Sequence, residues 1–238
     1  MAVITFYEST PTDALQLSNM LQETDHHWDF IPETISLENL NPETEVLSIF
    51  VSSSVTREII DRLPKLRVIA TRSTGFDHID LDAAAKKDIT VLNVPTYGEN
   101  TVAEHTFSLL LAITRRLIPT LQATAAGRFI ASEHTGIDLK GRTIGIIGMG
   151  HIGQHVARIS RGFDMKVLAS DVNQNPELAD KIGFTYESLE KVISESDILS
   201  LHAPLTPDNY HLINHHTVNR MKPGVIIINT ARGELIEN

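Results

Sequence analysis

The chain lacks cysteine, an excess of positive charge and any long apolar segment, and each absence excludes a class of protein. Zero cysteines exclude disulfides, thiolate metal sites and thiol nucleophiles. Lys and Arg number 20 against 30 Asp and Glu, so no basic face can neutralise nucleic-acid phosphates. No apolar run reaches the roughly 18–20 residues that cross a bilayer, and the amino terminus carries no secretion signal. We therefore predict a cytoplasmic protein that binds neither nucleic acid nor membrane and holds no metal.

The chain does contain a regular alternation of strand and helix patterns. Short β-rich apolar runs such as Ala2–Phe6 alternate with helical segments such as Pro11–Leu21 through the first hundred residues. Strands separated by helices of this length imply βαβ units and a mostly parallel sheet.

A change in this pattern near Pro95 marks a domain boundary. Beyond it, residues 102–117 form the longest uninterrupted helical pattern of the chain. A length of 238 residues is enough for two modest domains. We predict a first domain over residues 1–100 and a second over residues 101–238.

A glycine-rich segment between Thr143 and Asp171 has the pattern of a dinucleotide site. The apolar run TIGII predicts a strand buried on both faces, GMGHIG follows it as GxGxxG, and a helical run comes next. Gly148 permits the tight turn, Gly150 lets the backbone approach a pyrophosphate, and Gly153 lets the helix pack closely on the strand. The helix amino terminus offers N–H groups and a positive dipole to the anion. A glycine-rich turn in some other α/β protein is the alternative, and the setting between strand and helix favours the dinucleotide.

Asp171 ends the next apolar run and indicates which dinucleotide is bound. Its carboxylate suits the adenosine ribose hydroxyls and would repel a 2′-phosphate. The following residues, Val172-Asn173-Gln174, offer no Arg or Lys to such a phosphate. NAD is therefore favoured over NADP, and a solvated aspartate at a strand end is the alternative.

Three further loops follow strands, and ligands of open α/β sheets bind at the carboxyl ends of strands. The loop His202–Pro207 should line the cofactor, and its histidine fits a loop-holding role at least as well as catalysis. Arg232, after the apolar run Val225–Ile228, can pair with a carboxylate or polarise a carbonyl, with a plain surface arginine as the alternative. The loop Ser73–Asp77 exposes backbone N–H groups around a glycine, a usable carboxylate cradle that alone is only a loop.

Five ordered segments resemble the D-isomer-specific 2-hydroxyacid dehydrogenase family, and the first two look closest to its D-lactate dehydrogenase branch. They are STGFDHIDLDA (73–83), NVPTYGENTVAEHTFSLLLA (93–112), LKGRTIGIIGMGHIG (139–153), HAPLTP (202–207) and NTARG (229–233). The resemblance implies an α/β fold of two Rossmann-like, doubly wound parallel sheets. A flavodoxin-like substrate lobe comes first, and an incomplete NAD-binding lobe follows, with a cleft between them. The resemblance also implies a homodimer packed around the helix near 102–117.

The resemblance also assigns residues to the site. Backbone N–H groups of Thr74 and Gly75 would hold the substrate carboxylate, and Tyr97 would lie near it. His151 and Ile152 would contact the cofactor pyrophosphate, and Asp171 the ribose. The remaining residues expected to border the cofactor are His202, Ala203, Pro204, Asn209, Thr230, Ala231 and Arg232.

The chemistry implied by the resemblance is reduction of a small, pyruvate-like 2-oxo acid to the D-2-hydroxy acid with hydride from NADH. In such enzymes an arginine binds and polarises the substrate, and a histidine kept protonated by a glutamate donates the proton. Arg232 matches the arginine, whereas that histidine and glutamate would follow residue 238, and none of the 11 histidines takes the place. We therefore expect a truncated member that is nearly inactive alone. A non-enzymatic NAD-binding interaction module is the alternative.

Overall fold

The chain folds into two compact units that divide between Tyr97 and Gly98, close to the predicted boundary after residue 100. The computed structural model describes residues 1–128 and 131–237. Asn238 and residues 129–130, which belong to the predicted second domain, lie outside the described residues. Each unit is built on a five-stranded parallel sheet, which confirms the predicted α/β architecture.

The first unit has the strand order β2-β1-β3-β4-β5, which is the flavodoxin-like order. Its core is formed by side chains such as Leu47, Ile49 and Ile69, all without solvent exposure. The strands are β1 (Val3–Phe6), β2 (His27–Phe30), β3 (Val46–Ile49), β4 (Val68–Thr71) and β5 (Thr90–Leu92), and the helices are α1 (Pro11–Leu21), α2 (Arg57–Asp61) and α3 (Leu81–Lys86).

Helix α1 begins where the sequence predicts it, because Thr10 and Asp13 cap each other's backbone N–H groups ahead of Pro11. Strand β2 was not predicted. Among the described strands it pairs with β1 alone, so it lies at the edge of the sheet, and its residues are exposed or half-buried. An edge strand of this kind lacks the apolar run that reveals a buried strand.

The second unit has the strand order β10-β9-β6-β7-β8, which, counted from the β8 edge, is 3-2-1-4-5 of the Rossmann order. Ile144 and Ile146 of the central strand are fully buried, as the apolar run predicts. The strands are β6 (Thr143–Ile147), β7 (Lys166–Ser170), β8 (Thr185–Tyr186), β9 (Ile198–Leu201) and β10 (Ile226–Asn229). The helices are α4 (Glu99–Thr114), α5 (Leu117–Ala125), α6 (His151–Gly162), α7 (Pro176–Ile182), α8 (Leu189–Glu195) and α9 (His215–Val218).

The long helical pattern over residues 102–117 is divided between α4 and α5. Arg116 adopts a left-handed conformation with φ of 49°, which ends the first helix. The carbonyl of Thr114 accepts a hydrogen bond from the backbone N–H of Ile137 at 2.9 Å, so the chain beyond α5 returns to this break. A single continuous helix was therefore the wrong interpretation of an apolar pattern that runs across both helices.

The segment after Arg232 forms no α-helix within the described residues. A single 3₁₀ turn spans Gly233–Leu235, and Ile236 is extended and forms an isolated parallel bridge with Ile213. Burial of Leu235 explains the choice, because the turn places this side chain in the core of the unit.

Candidate functional site

The glycine-rich loop joins β6 to α6 at the carboxyl edge of the second sheet. Gly148 has φ of +96°, and a Cβ there would lie 2.5 Å from the backbone nitrogen of Ala203. A Cβ on Gly153 would overlap the carbonyl oxygen of Gly148, so α6 can approach the loop only with glycine at this position. Two of the three predicted glycine roles, the turn and the close packing, therefore have a direct steric basis.

Gly150 is the residue that faces open space. It is exposed, it caps the amino terminus of the 12-residue α6, and a Cβ there would meet no atom within 4 Å. Because the N-cap glycine forms no side-chain cap, the first-turn N–H groups, including those of His151 and Ile152, point toward the same space. The residues present therefore fit a dinucleotide pyrophosphate, which needs backbone donors and room beside the helix terminus.

Asp171 follows β7 and is already engaged with backbone groups. One carboxylate oxygen accepts from the N–H of Met149 in the glycine-rich loop at 2.6 Å, and the other accepts from the N–H of Asn173 at 2.7 Å. A carboxylate has about four acceptor positions, so capacity for ribose hydroxyls is left. The predicted ribose ligand thus also holds the loop that would receive the pyrophosphate.

Arg232 lies in a loop after β10 that is fastened by its own side chains. The Asn229 amide accepts from the N–H of Ala231 at 3.0 Å and donates to the carbonyl of Arg232 at 2.7 Å. Thr230 bonds to Thr106 of α4 at 3.0 Å through the two hydroxyl oxygens. The Arg232 side chain is half-buried, and Nη1 donates to the carbonyl of Ala231 at 3.2 Å. A guanidinium is therefore held at the carboxyl end of β10 by a fixed turn.

The loop after β9 carries His202, Ala203, Pro204 and Asn209. His202 Nε2 lies 2.8 Å from the hydroxyl of Ser200, and burial lowers the pKa of the imidazole from 6.5 to about 4. The Asn209 amide accepts from the N–H of Thr206 and donates to the carbonyl of Pro204, both at 2.7 Å. This loop is thus internally braced, and its histidine is neutral near pH 7.

The predicted substrate residues Thr74, Gly75 and Tyr97 belong to the first unit. The carbonyl groups of Ser73, Thr74 and Gly75 all accept hydrogen bonds, from Val94 N–H, Asn93 Nδ2 and Ser73 Oγ, respectively. The Thr74 hydroxyl donates to the carbonyl of Val94 at 2.9 Å. These bonds occupy the three carbonyls of the loop. Tyr97 is 58% exposed at the end of the unit.

The sequence did not predict two residues that hold the loops of the first sheet. The carboxylate of Glu8 accepts from the backbone N–H groups of Phe50, Ser52 and Ser53 at 2.8–3.1 Å. Arg72 donates to the carbonyls of Tyr7 and Glu8 at 2.8 and 2.9 Å. The partners lie more than 40 residues apart along the chain, so no local pattern could reveal them.

The structure brings the predicted cofactor residues together along one edge of the second sheet. The glycine-rich loop, Asp171, the loop after β9 and the loop after β10 all follow the carboxyl ends of adjacent parallel strands. Among the described residues, no group of three or more His, Asp or Glu side chains could hold a metal ion. Within the same residues, no helix is both long and apolar enough to cross a bilayer.

Comparison with known proteins connects this edge to a cofactor. The family model described as D-isomer specific 2-hydroxyacid dehydrogenase, NAD binding domain, matches residues 107–238. This match, together with the NAD in the solved relative described next, confirms the prediction of NAD as the cofactor.

Three relatives illustrate the similarity. The D-lactate dehydrogenase of Escherichia coli (strain K12) is 40% identical over 82% of this chain and 59% of that protein. The glyoxylate reductase of Thermococcus litoralis is 37% identical over 87% of this chain and 64% of that protein. The crystal structure of D-lactate dehydrogenase from Aquifex aeolicus complexed with NAD and lactic acid superposes with a TM-score of 0.92 at 35% identity, covering 98% of this chain and 70% of that one. The chain spans 59–70% of the length of the curated relatives it matches.

Proposed function

Since this chain belongs to the D-isomer specific 2-hydroxyacid dehydrogenase family, we propose that the protein reduces a small, pyruvate-like 2-oxo acid to the D-2-hydroxy acid. The observation that carries this proposal is the fastened Arg232 turn, which follows a strand of the same sheet edge as the glycine-rich loop. When bound, NADH supplies the hydride. The chain's own residues hold the cofactor, bind the substrate and polarise its carbonyl.

The cofactor is held by two kinds of contact. The exposed amino terminus of α6, with Gly150 at its cap, gives backbone N–H groups and a positive dipole to the pyrophosphate. Asp171 accepts from the ribose hydroxyls and would repel the additional phosphate of NADPH. His202, Ala203, Pro204, Asn209, Thr230 and Ala231 border the remainder of the cofactor, because their loops leave the same sheet edge.

The substrate is held by charge and by backbone donors. Arg232 pairs with the carboxylate and draws electron density from the 2-oxo group, as a planar guanidinium can. Thr74 and Gly75 add backbone N–H groups toward the carboxylate, an arrangement favoured because their carbonyls are already bonded within the first unit. Tyr97, exposed at the end of the first unit, borders the substrate.

Oxidation of NADH in the presence of pyruvate, glyoxylate or phenylpyruvate tests this function. The assay uses the 238-residue chain and a fusion in which the carboxyl-terminal part of the Escherichia coli D-lactate dehydrogenase follows residue 238. We expect the fusion to turn over, with Arg232→Lys losing about 100-fold or more in kcat/KM because its single ammonium cannot form the paired contact. A folded fusion that binds NADH but turns over none of these acids would refute the assignment.

The 238-residue chain alone should be nearly inactive. His202 is neutral and already hydrogen-bonded, so it is a poor proton donor, and loss of the general acid typically costs roughly 10²–10⁴-fold. This same observation favours a second candidate function, an NAD-binding interaction module without turnover. Rates for the isolated chain comparable to those of the fusion would exclude the second candidate.

We also propose that the protein forms a homodimer through residues 102–117 and the helix that follows. Exposed apolar side chains cluster on α4 and α5, where Ile113, Ile118 and Leu121 are 52–56% exposed. Light scattering of the purified chain should give twice the monomer mass, and Ile113→Glu should reduce it to the monomer. A monomeric wild-type chain would overturn the proposal. The predicted cytoplasmic location stays a prediction.

A further inference from the structure

A chain of side-chain hydrogen bonds crosses the second unit from β9 to α4 and passes through His202. His202 Nε2 lies 2.8 Å from Ser200 Oγ, and His202 Nδ1 lies 3.5 Å from Thr230 Oγ1. Thr230 Oγ1 is 3.0 Å from Thr106 Oγ1, which donates to the carbonyl of Val102 at 2.9 Å. Ser200 and Thr106, two members of this chain of hydrogen bonds, are almost completely buried. This chain of hydrogen bonds therefore links two loops of the candidate site to the interior of the unit.

The hydroxyl and imidazole protons in this chain of hydrogen bonds can be donated in only one direction. The carbonyl of Val102 can only accept, so the single hydroxyl proton of Thr106 is used there. The Thr106 oxygen must then accept from Thr230, whose own proton is spent on that bond. The Thr230 oxygen therefore accepts from the imidazole, which makes Nδ1 the protonated nitrogen of His202. A neutral imidazole has one N–H, so Nε2 accepts from the hydroxyl of Ser200.

The position of Thr230 explains why this direction matters. Thr230 lies between Asn229, which fastens the turn, and the turn residues Ala231 and Arg232. Without an acceptor and a donor on either side, the Thr230 hydroxyl could rotate, and the turn would lose its side-chain bond to α4. The backbone of His202 also lies against Gly148, where a Cβ would be 2.6 Å from the His202 carbonyl carbon. His202 is thus located between the glycine-rich loop and the Arg232 turn.

Building on the function proposed above, we propose that His202 is a positioning residue, a neutral Nδ1–H imidazole that directs the Thr230 hydroxyl toward α4 and so fixes the turn that carries Arg232. It does not donate the proton to the substrate carbonyl. Its one N–H is used by Thr230, and its other nitrogen accepts from Ser200. Burial, which lowers the pKa of His202 to about 4, keeps this arrangement intact near pH 7.

The tautomer is directly measurable in the wild-type 238-residue chain. A long-range ¹H–¹⁵N correlation spectrum at pH 7, with the ring assigned by its loss in His202→Gln, distinguishes the two neutral tautomers and the cation. We expect Nδ1 protonated and Nε2 unprotonated. An Nε2–H tautomer or an imidazolium at pH 7 would overturn the proposal, and the protonation state itself is observed in the wild-type chain.

The positioning role is tested by matched variants and by amide exchange of Ala231, whose N–H donates to Asn229 within the turn. In His202→Asn the amide nitrogen falls near the Nδ1 position and can still donate to Thr230, whereas in His202→Gln it reaches the Ser200 side instead. We expect exchange to accelerate about 3- to 10-fold in His202→Gln, the equivalent of one hydrogen bond, and to change less than about threefold in His202→Asn.

Thr230→Val supplies the coupling test, because it removes the hydroxyl that His202 is proposed to direct. It should accelerate exchange of Ala231 as His202→Gln does, and the double variant should add nothing further, since both changes break one chain. Additive effects, or equal exchange in His202→Asn and His202→Gln, would refute the positioning role. These measurements need no substrate, so a failure to reduce 2-oxo acids would count against the proposed function alone.

Discussion

Removal of the Asp171 carboxylate should destabilise the second unit before any cofactor is added. In Asp171→Ala the N–H of Met149 loses its acceptor, which lies at 2.6 Å, and Met149 is only 5% exposed. A buried donor left without a partner costs about 1–3 kcal/mol. The N–H of Asn173, the other partner, is on an exposed residue, so water replaces the carboxylate there at little cost. The expected loss in free energy of unfolding is therefore about 1–3 kcal/mol.

Urea unfolding followed by far-ultraviolet circular dichroism measures this loss, with Asp171→Asn as the matched control. The asparagine oxygen can still accept from Met149. The control should therefore lose less than half of the unfolding free energy that Asp171→Ala loses relative to the wild type. Trp28, the single tryptophan, lies in β2 of the first unit, and its fluorescence reports that unit separately. Equal unfolding free energies for Asp171→Ala and the wild type would refute the idea that this carboxylate fastens the glycine-rich loop.

Three further predictions concern individual side chains. Burial lowers the pKa of His202 from 6.5 to about 4, so the neutral imidazole contributes its full stability above pH 6.5. About 3 kcal/mol of this stability is lost as the pH falls toward 4. His202→Gln should remove that part of the pH dependence of the unfolding free energy, and an unchanged slope would contradict the prediction. Burial alone would raise the pKa of Glu8, but hydrogen bonds from Ser53, Ser52 and Phe50 outweigh it and lower the pKa. Glu8→Gln should therefore lower the unfolding free energy of the first unit near pH 7, measured by Trp28 fluorescence in urea. On acidification this variant should lose less stability than the wild type. Gly150→Asp should leave the unfolding free energy nearly unchanged, because a side chain there meets open space. The new carboxylate should nevertheless weaken NADH binding at least about tenfold by repelling the pyrophosphate. Unaltered binding would place the cofactor elsewhere.

The sequence predicted the parts of the fold that have a local signature. Ile144 and Ile146 indicate a strand buried on both faces, and Thr10 before Pro11 indicates a helix start, because periodicity and capping depend on nearby residues. The break at Arg116 has no such signature, since arginine rarely adopts a left-handed conformation and the apolar pattern continues across it. Such a break depends on tertiary contacts, here the bond from Ile137 to Thr114.

The features of the candidate site also divide into those that a local sequence pattern predicts and those that depend on distant residues. The glycine spacing and Asp171 were readable because each performs its role within one strand–helix–strand unit. The fastening of the Arg232 turn was partly readable, because Asn229 is a residue type that closes turns on its own backbone. The link from Thr230 to Thr106 spans 124 positions and joins two unremarkable threonines. Only the folded chain shows that His202 completes this link.

We propose that the second unit holds NAD through the amino terminus of α6 and the Asp171 carboxylate. Fluorescence titration of the wild-type 238-residue chain with NADH and with NADPH tests it most directly. We expect saturable binding of NADH and at least about tenfold weaker binding of NADPH, because a 2′-phosphate would lie beside a carboxylate with no basic side chain in the three residues after it. Equal affinity for the two nucleotides, or no binding of NADH by a chain whose circular dichroism shows it folded, would contradict the claim.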